Sequence, residues 1–342
     1  MMRFKLLGNS GLRVSELSLG TMTFGEEWGW GANAAVSREL FDTYVEAGGN
    51  FIDTADGYTG GTSEKMVGEF VASRREQFVV ATKFTFNQRP GDPNAGGNHR
   101  KNLTQALEGS LRRLNLDYVD LYWVHAWDQL TPVEEVMRAL DDIVRAGKVL
   151  YVGVSNWPAW RIAQANTLAQ WRDWTPFVGL QIEYNLIKRT PERELIPMAQ
   201  ELGLGITPWS PLASGLLSGK YLTEQKPGDD ERRLDKTAFL EVTKQRLAVA
   251  AAVIEIAEKV DHSPSQVALN WLRQRNGTIP ILGARTVDQL KDNLACLEWR
   301  LADEDVQRLD EASAIEVTYP DEFLDRVREG LHGGTWPLID RD

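Results

Sequence analysis

Eight short apolar runs, separated by stretches with the spacing of amphipathic helices, constrain this chain more than any other feature. They occupy 16–20, 50–55, 78–84, 119–125, 149–155, 177–183, 204–210 and 278–283. Several are apolar almost without interruption, as strands buried on both faces must be. Strands that alternate with helices pair in parallel, because each return to the sheet crosses over through a helix. Eight such units predict an α/β fold of the (β/α)8 barrel type, preceded by an N-terminal hairpin at about 3–14.

Punctuation between the runs supports the same architecture. Thr131 can N-cap a helix with Pro132 at its first position and Glu134 and Glu135 in its first turn. Val133, Val136, Met137, Leu140, Ile143 and Val144 follow with helical spacing, and Gly147 sits at the stop. Ser263-Pro264-Ser265-Gln266 has the pattern of a capping box. Residues 85–98, rich in Gly, Pro and Asn, read as a mobile loop. Residues 211–262 form an insertion between the seventh and eighth strands, charged around Lys226 to Lys236 and helical at about 241–260. At the functional rim of a barrel such an insertion is placed to act as a lid. One domain over 1–342 accommodates all of these units, since single barrels commonly run this long.

Composition narrows the function classes. A net charge of -11 disfavours nucleic acid and anionic membrane surfaces as partners. Cys296 is the only cysteine, which excludes an intrachain disulfide and permits a reducing compartment. No run approaches the ~20 apolar residues of a membrane helix, and the N-terminus lacks a signal-peptide core, so a cytoplasmic address is expected. Gly29-Trp30-Gly31-Ala32-Asn33-Ala34 fits a dinucleotide fingerprint without the buried strand that should precede it. Gly215-Leu216-Leu217-Ser218-Gly219-Lys220-Tyr221 is one residue short of a phosphate loop. The four histidines have no cysteine partners at ligand spacing, so no metal is expected.

The chemistry-bearing candidates are Asp53, Tyr58, Lys83 and His125, which fall near the ends of predicted strands. A lysine or histidine that closes an apolar strand is desolvated or partnered, since charge rarely sits beside a core for packing alone. A carboxylate, a phenol, an ammonium and an imidazole on one rim form a proton-donating site. The phenol is by itself a poor acid, with a pKa near ~10. An adjacent ammonium favours the phenolate, and the carboxylate holds the ammonium in place. Singly, each residue has a plainer reading: Asp53 as a turn cap, Tyr58 as a surface aromatic, Trp209 as core, Arg285 as a solvated ion pair and Ser155-Asn156 as a helix cap. Their convergence on one rim favours a site.

Asp53-Thr54-Ala55-Asp56-Gly57-Tyr58, followed by Gly61-Thr62-Ser63-Glu64, Lys83 and His125, resembles the signature of the aldo-keto reductase superfamily. The similarity continues through Gly153-Val154-Ser155-Asn156, Gln181-Ile182-Glu183-Tyr184-Asn185 and Trp209-Ser210-Pro211-Leu212-Ala213-Ser214-Gly215. The last segment is most similar to the branch that holds potassium-channel β subunits and their bacterial relatives.

The resemblance implies a barrel that binds NADPH or NADP+, with NADH less favoured, and reduces an aldehyde or ketone. In it, Tyr58 is the general acid, Lys83 paired with Asp53 lowers the tyrosine pKa, and His125 orients the carbonyl. Ser155, Asn156 and Gln181 would hold the carboxamide and Trp209 would stack on the nicotinamide. Gly20, Thr21, Met22, Ser210, Leu212, Ser214, Gly215 and Gly283 would line the cofactor path. Lys220 and Arg285 would face the 2′-phosphate, with Gln289 and Asn293 at the adenine end.

Aromatic residues after the strands, with Trp28, Phe84 and Trp127 foremost and Trp30, Phe86 and Trp157 beside them, would build the substrate pocket. Two other readings stand: a regulatory module that senses nicotinamide redox state, and an unrelated barrel isomerase or lyase. Nothing is expected to precede the barrel beyond the short hairpin, so the long N-terminal arm expected of a channel-blocking subunit is missing, which favours the enzyme. A monomer and a homo-oligomer are both open.

Overall fold

All eight apolar runs form strands, and all eight pair in parallel. The structure, a computed structural model, describes residues 2–221 and 243–340. The barrel strands are β3 (Ser18–Gly20), β4 (Phe51–Asp53), β5 (Val79–Phe84), β6 (Val119–Val124), β7 (Val149–Ser155), β8 (Phe177–Glu183), β9 (Gly205–Trp209) and β10 (Ile281–Leu282). They are ordered β10-β3-β4-β5-β6-β7-β8-β9. A parallel bridge between Ile206 and Thr278 joins the two ends of that series and brings the barrel to near closure. There the Ile279 N–H donates to the Ile206 carbonyl at 2.8 Å.

The last strand is shorter than the run 278–283 predicts. Pro280 has no N–H to donate, so the ladder is interrupted between the Thr278 bridge and Ile281. Its carbonyl still accepts from Ser18 at 2.9 Å.

Between the strands run α1 (Ala34–Glu46), α2 (Thr62–Val71), α3 (Arg100–Leu114), α4 (Val133–Arg145), α5 (Ala159–Arg172) and α6 (Leu195–Glu201). They are followed by α7 (Lys244–Val260), α8 (Pro264–Arg273) and α9 (Val287–Leu294). Helix α7 is the extra helix expected at about 241–260. The charged stretch around Lys226 to Lys236, read as a lid, lies outside the described residues. Among the described residues no helix is long and apolar enough to cross a membrane.

Two helix starts differ from their expected form. Pro132 occupies the N-cap of α4 rather than its first position. The Thr131 hydroxyl is instead drawn to Asp128 Oδ2 at 2.6 Å, so the carboxylate organises the turn before the helix. At α8, Ser263 Oγ accepts from the Gln266 N–H at 3.2 Å, which is half of a capping box. The other half is absent because the Gln266 side chain bonds Asp292 and Trp299.

The hairpin of β1 (Phe4–Leu6) and β2 (Arg13–Ser15) is antiparallel, as expected. Leu7 and Val14 pack with Phe51, Val79, Ala81, Leu121, Trp123 and Ile279 in one apolar cluster. Phe51, Val79 and Leu121 lie at or near the starts of their strands, so the hairpin plugs the N-terminal mouth of the barrel. The opposite mouth is left for chemistry.

Trp123 fills the barrel interior and is completely buried. Its indole fits because two facing strand positions lack a side chain. A Cβ at Gly153 would lie 2.3 Å from the ring, and one at Gly179 would lie 2.9 Å from it. Gly153→Ala is therefore expected to destabilise the fold by about 1–3 kcal/mol through overpacking. A smaller side chain at 123 should relieve that strain. Urea unfolding of Gly153→Ala, Trp123→Leu and the double variant tests the coupling, and additive losses would show that the contact is not the cause.

Candidate active site

The chain reaches the open mouth of the barrel at several strand ends, and there it places its titratable side chains. Asp53 is the last residue of β4, Lys83 the penultimate residue of β5, and His125 follows β6. Tyr58 opens a 3-10 turn, Tyr58–Gly61, whose Thr59, Gly60 and Gly61 all have positive φ. Glycine at 60 and 61 makes that left-handed passage accessible. The turn is anchored to the neighbouring strand, with the Asp56 N–H donating to the Lys83 carbonyl at 3.1 Å.

Lys83 is fully buried. Its ammonium donates to Asp53 Oδ2 at 2.5 Å, to the Thr54 carbonyl at 2.8 Å and to Tyr58 Oη at 3.1 Å. Three donors therefore meet three acceptors. Burial pulls the ammonium pKa down, but the attraction of Asp53 and then Tyr58, with hydrogen bonds to both, outweighs it and leaves the pKa raised. Asp53 is held in turn by Gln181, whose Nε2 donates to Oδ1 at 3.0 Å. Because Tyr58 Oη accepts from Lys83, the phenolic proton points away from the ammonium.

His125 lies edge-on to Tyr58, with ring centroids 6.2 Å apart, and to Phe86 at 4.7 Å. Its pKa lies well below the usual imidazole value, through burial first and the Lys83 charge second. The ring is therefore neutral near pH 7 and has one N–H to donate. Its Nδ1 is buried without a partner among the described residues.

Asp53, Tyr58 and His125 line a cleft of about 1070 Å³, and Lys83 is buried behind them. At the Tyr58 end its walls include Trp28, Phe86 and His125, and Trp30 packs against Trp28 at 5.6 Å. Gly20, Met22, Asn156, Gln181, Trp209 and Ser210 also line it. Asn156 has φ +56°, and its Nδ2 donates to the His125 carbonyl and to Ser155 Oγ, both at 2.9 Å. Leu212, Ser214, Gly215 and Lys220, from the segment after β9, and Gly283, Arg285, Gln289 and Asn293, from the segment after β10, also line the cleft. The Arg285 N–H donates to Gln289 Oε1 at 3.0 Å, and the Thr286 hydroxyl caps α9.

Some sequence candidates stand elsewhere. Phe84 is fully buried and stacks on Tyr122 at 5.0 Å, because the residue after inward-pointing Lys83 must point outward to the helix layer. That alternation was legible in the strand pattern. Trp127 packs edge-on against Trp160 at 5.9 Å, outside the cleft walls, and Trp157 is buried against Phe177. Thr21 sits behind the wall, bonded to the Asp53 carbonyl and Ser63, and Ser155 sits behind Asn156. Conversely, Asp56, Gln88 and Glu183 line the cleft and were not singled out. For Asp56 the signal was a second carboxyl two residues before the tyrosine.

Asp56 is 4% exposed. Burial, with the Glu64 carboxylate adding to it, pushes its pKa up to about 8. An acid with a raised folded-state pKa contributes stability that is full below the unfolded value of 3.8 and is lost as pH rises through the folded value. Asp56→Asn lacks that loss. Its Tm relative to the wild type should therefore rise between about pH 4 and 8, by on the order of 5 °C, in thermal melts. A constant difference would mean that Asp56 is ionised in the fold.

Comparison with known proteins gives concordant matches. The sequence profile of the Aldo/keto reductase family matches residues 16–314. A norsolorinic acid reductase of Emericella nidulans is 40% identical over 92% of this chain and 82% of its own length. An aryl-alcohol dehydrogenase of Pestalotiopsis microspora is 37% identical over 94% of this chain and 85% of its own. An aldo-keto reductase of Emericella nidulans is 34% identical over 93% and 83%. These relatives are named as reductases and an alcohol dehydrogenase, and they do not single out the channel β-subunit branch suggested by the segment after Trp209.

Proposed function

Since the chain belongs to the aldo/keto reductase family and is an oxidoreductase, we propose that it reduces the carbonyl of an aromatic aldehyde or ketone with NADPH, using Tyr58 as the acid. The observation that carries this reading is the Lys83 ammonium, which bonds Tyr58 on one side and Asp53 on the other at the border of the cleft. When bound, the nicotinamide supplies the hydride. The chain's own residues supply the rest.

As negative charge develops on the carbonyl oxygen, Tyr58 gives up its proton and the nearby ammonium stabilises the resulting phenolate. Asp53 keeps the ammonium in place, and Gln181 keeps Asp53 in place. Neutral His125 donates its N–H to the same oxygen without competing as a second acid. The rigid hydrogen-bonded frame lets these donors act without reorganising.

The cleft has the chemistry a dinucleotide requires. The Asn156 and Gln181 side chains carry amide groups of the kind that read a carboxamide, and Trp209 offers a flat apolar face near them. Lys220 and Arg285, two cations in the cleft lining, are suited to a phosphate. Trp28 and Phe86 give the Tyr58 end aromatic walls, which accords with the aryl substrates in the names of the relatives.

Tyr58→Phe is expected to lower kcat for reduction of a benzaldehyde by at least ~10²–10⁴ while NADPH still binds. Steady-state kinetics with a fluorescence titration of the cofactor checks both halves, and near-normal kcat would remove Tyr58 from the mechanism. Arg285→Ala should weaken NADPH binding by about one to two orders of magnitude, the loss of a charge-assisted hydrogen bond, and leave NADH binding little changed. Equal losses for both cofactors in the same titration would mean that the 2′-phosphate is read elsewhere.

A further inference from the structure

Asp56 lies in the cleft wall two residues before Tyr58 and has no part in the chemistry described above. Its surroundings leave little room for a carboxylate. All three Lys83 donors are taken, by Asp53, the Thr54 carbonyl and Tyr58. The neighbouring cation on α3, Arg113, donates its Nε to Glu64 Oε2 at 2.6 Å. Glu64, on α2, is completely buried and also accepts from the Thr82 hydroxyl at 2.6 Å. From β6 the facing group is Tyr122, a phenol that burial keeps neutral. From the loop after β5, Gln88 Nε2 comes only to 3.5 Å of Asp56 Oδ1 and bonds the Phe86 carbonyl more closely, at 3.1 Å.

An ionised Asp56 would be a second carboxylate beside Glu64, sharing a cation already engaged. The Gly57 N–H and the long Gln88 contact do not offset burial and the Glu64 charge, so the carboxyl takes up a proton instead. With Asp56 neutral, the buried cluster balances: Lys83 and Arg113 against Asp53 and Glu64.

We propose that Asp56 is a positioning residue that acts through Lys83: as a neutral acid it leaves the ammonium charge undivided for Tyr58, and once ionised it takes a share of that charge and makes Tyr58 a weaker acid. The proposal rests on the assignment of Tyr58 as the proton donor. It gives the enzyme a control over reduction separate from the ionisation of the tyrosine itself. The raised pKa of Asp56 places this control in the mildly alkaline range, near 8.

Two measurements test it together. In cofactor-free protein carrying 13C-carboxyl aspartate, one resonance should titrate near pH 8 and be absent from Asp56→Asn. In reduction of a benzaldehyde with NADPH, wild-type kcat/KM should fall on the order of three- to tenfold across that titration. Asp56→Asn, referenced to its own rate at acid pH, should lack that limb. Glu64→Gln should move both the resonance and the limb to lower pH, because it removes the neighbouring charge and frees Arg113.

A merely structural role would alter the rate without altering the shape of the profile. An alkaline limb shared by wild type and Asp56→Asn overturns the proposal, as does an Asp56 carboxyl that titrates near the ordinary aspartate value. Normal turnover by Tyr58→Phe overturns the tyrosine assignment instead, and with it this route of action, while the carboxyl titration still reports the state of Asp56.

Discussion

The buried ion pair of Lys83 and Asp53 is the constraint around which the open end of the barrel is arranged. An ammonium with no exposed surface is tolerated only when every N–H has an acceptor, and here the acceptors come from Asp53, Thr54 and Tyr58. That requirement fixes where β4 must end relative to β5 and how tightly the chain turns toward Tyr58. The left-handed Thr59-Gly60-Gly61 passage is the backbone consequence. Replacing either charge alone would strand the other, a loss of about 3–5 kcal/mol in comparable buried pairs.

The far side of the molecule makes that arrangement rigid. Trp123 fills the barrel interior against Gly153 and Gly179, and the hairpin seals the mouth below it. A packed floor leaves the strand ends little freedom, so the side chains above it keep their geometry without help from a ligand. The cost is polar: the Trp123 indole nitrogen is buried with no partner among the described residues. Packing has taken precedence over hydrogen bonding at that position.

Electrostatics separate the roles of neighbouring groups. Burial first and the lysine charge second hold the His125 pKa well below its usual value, so the ring is neutral near pH 7. The same ammonium favours negative charge on Tyr58. Burial first, and the Glu64 carboxylate second, raise the Asp56 pKa to about 8. His125 and Asp56 thus owe their charge states to their surroundings rather than to their types.

Periodicity alone determined the barrel, because strands buried on both faces and returned by helices have few other ways to pair. The four residues around the cleft border were legible for a similar reason, since strand ends in such a fold face one mouth. Tertiary structure decided the rest. Whether an aromatic after a strand enters the cleft depends on which face of the pleat it occupies, so Phe86 lines the cleft while Phe84 belongs to the helix layer. Pro280 shortened the last strand through a missing donor that an apolar run does not reveal. The charge of Asp56 depends on Glu64 and Arg113, which lie on two different helices and meet it only when the barrel closes. Local pattern sets which elements form; long-range desolvation and pairing set what their side chains do.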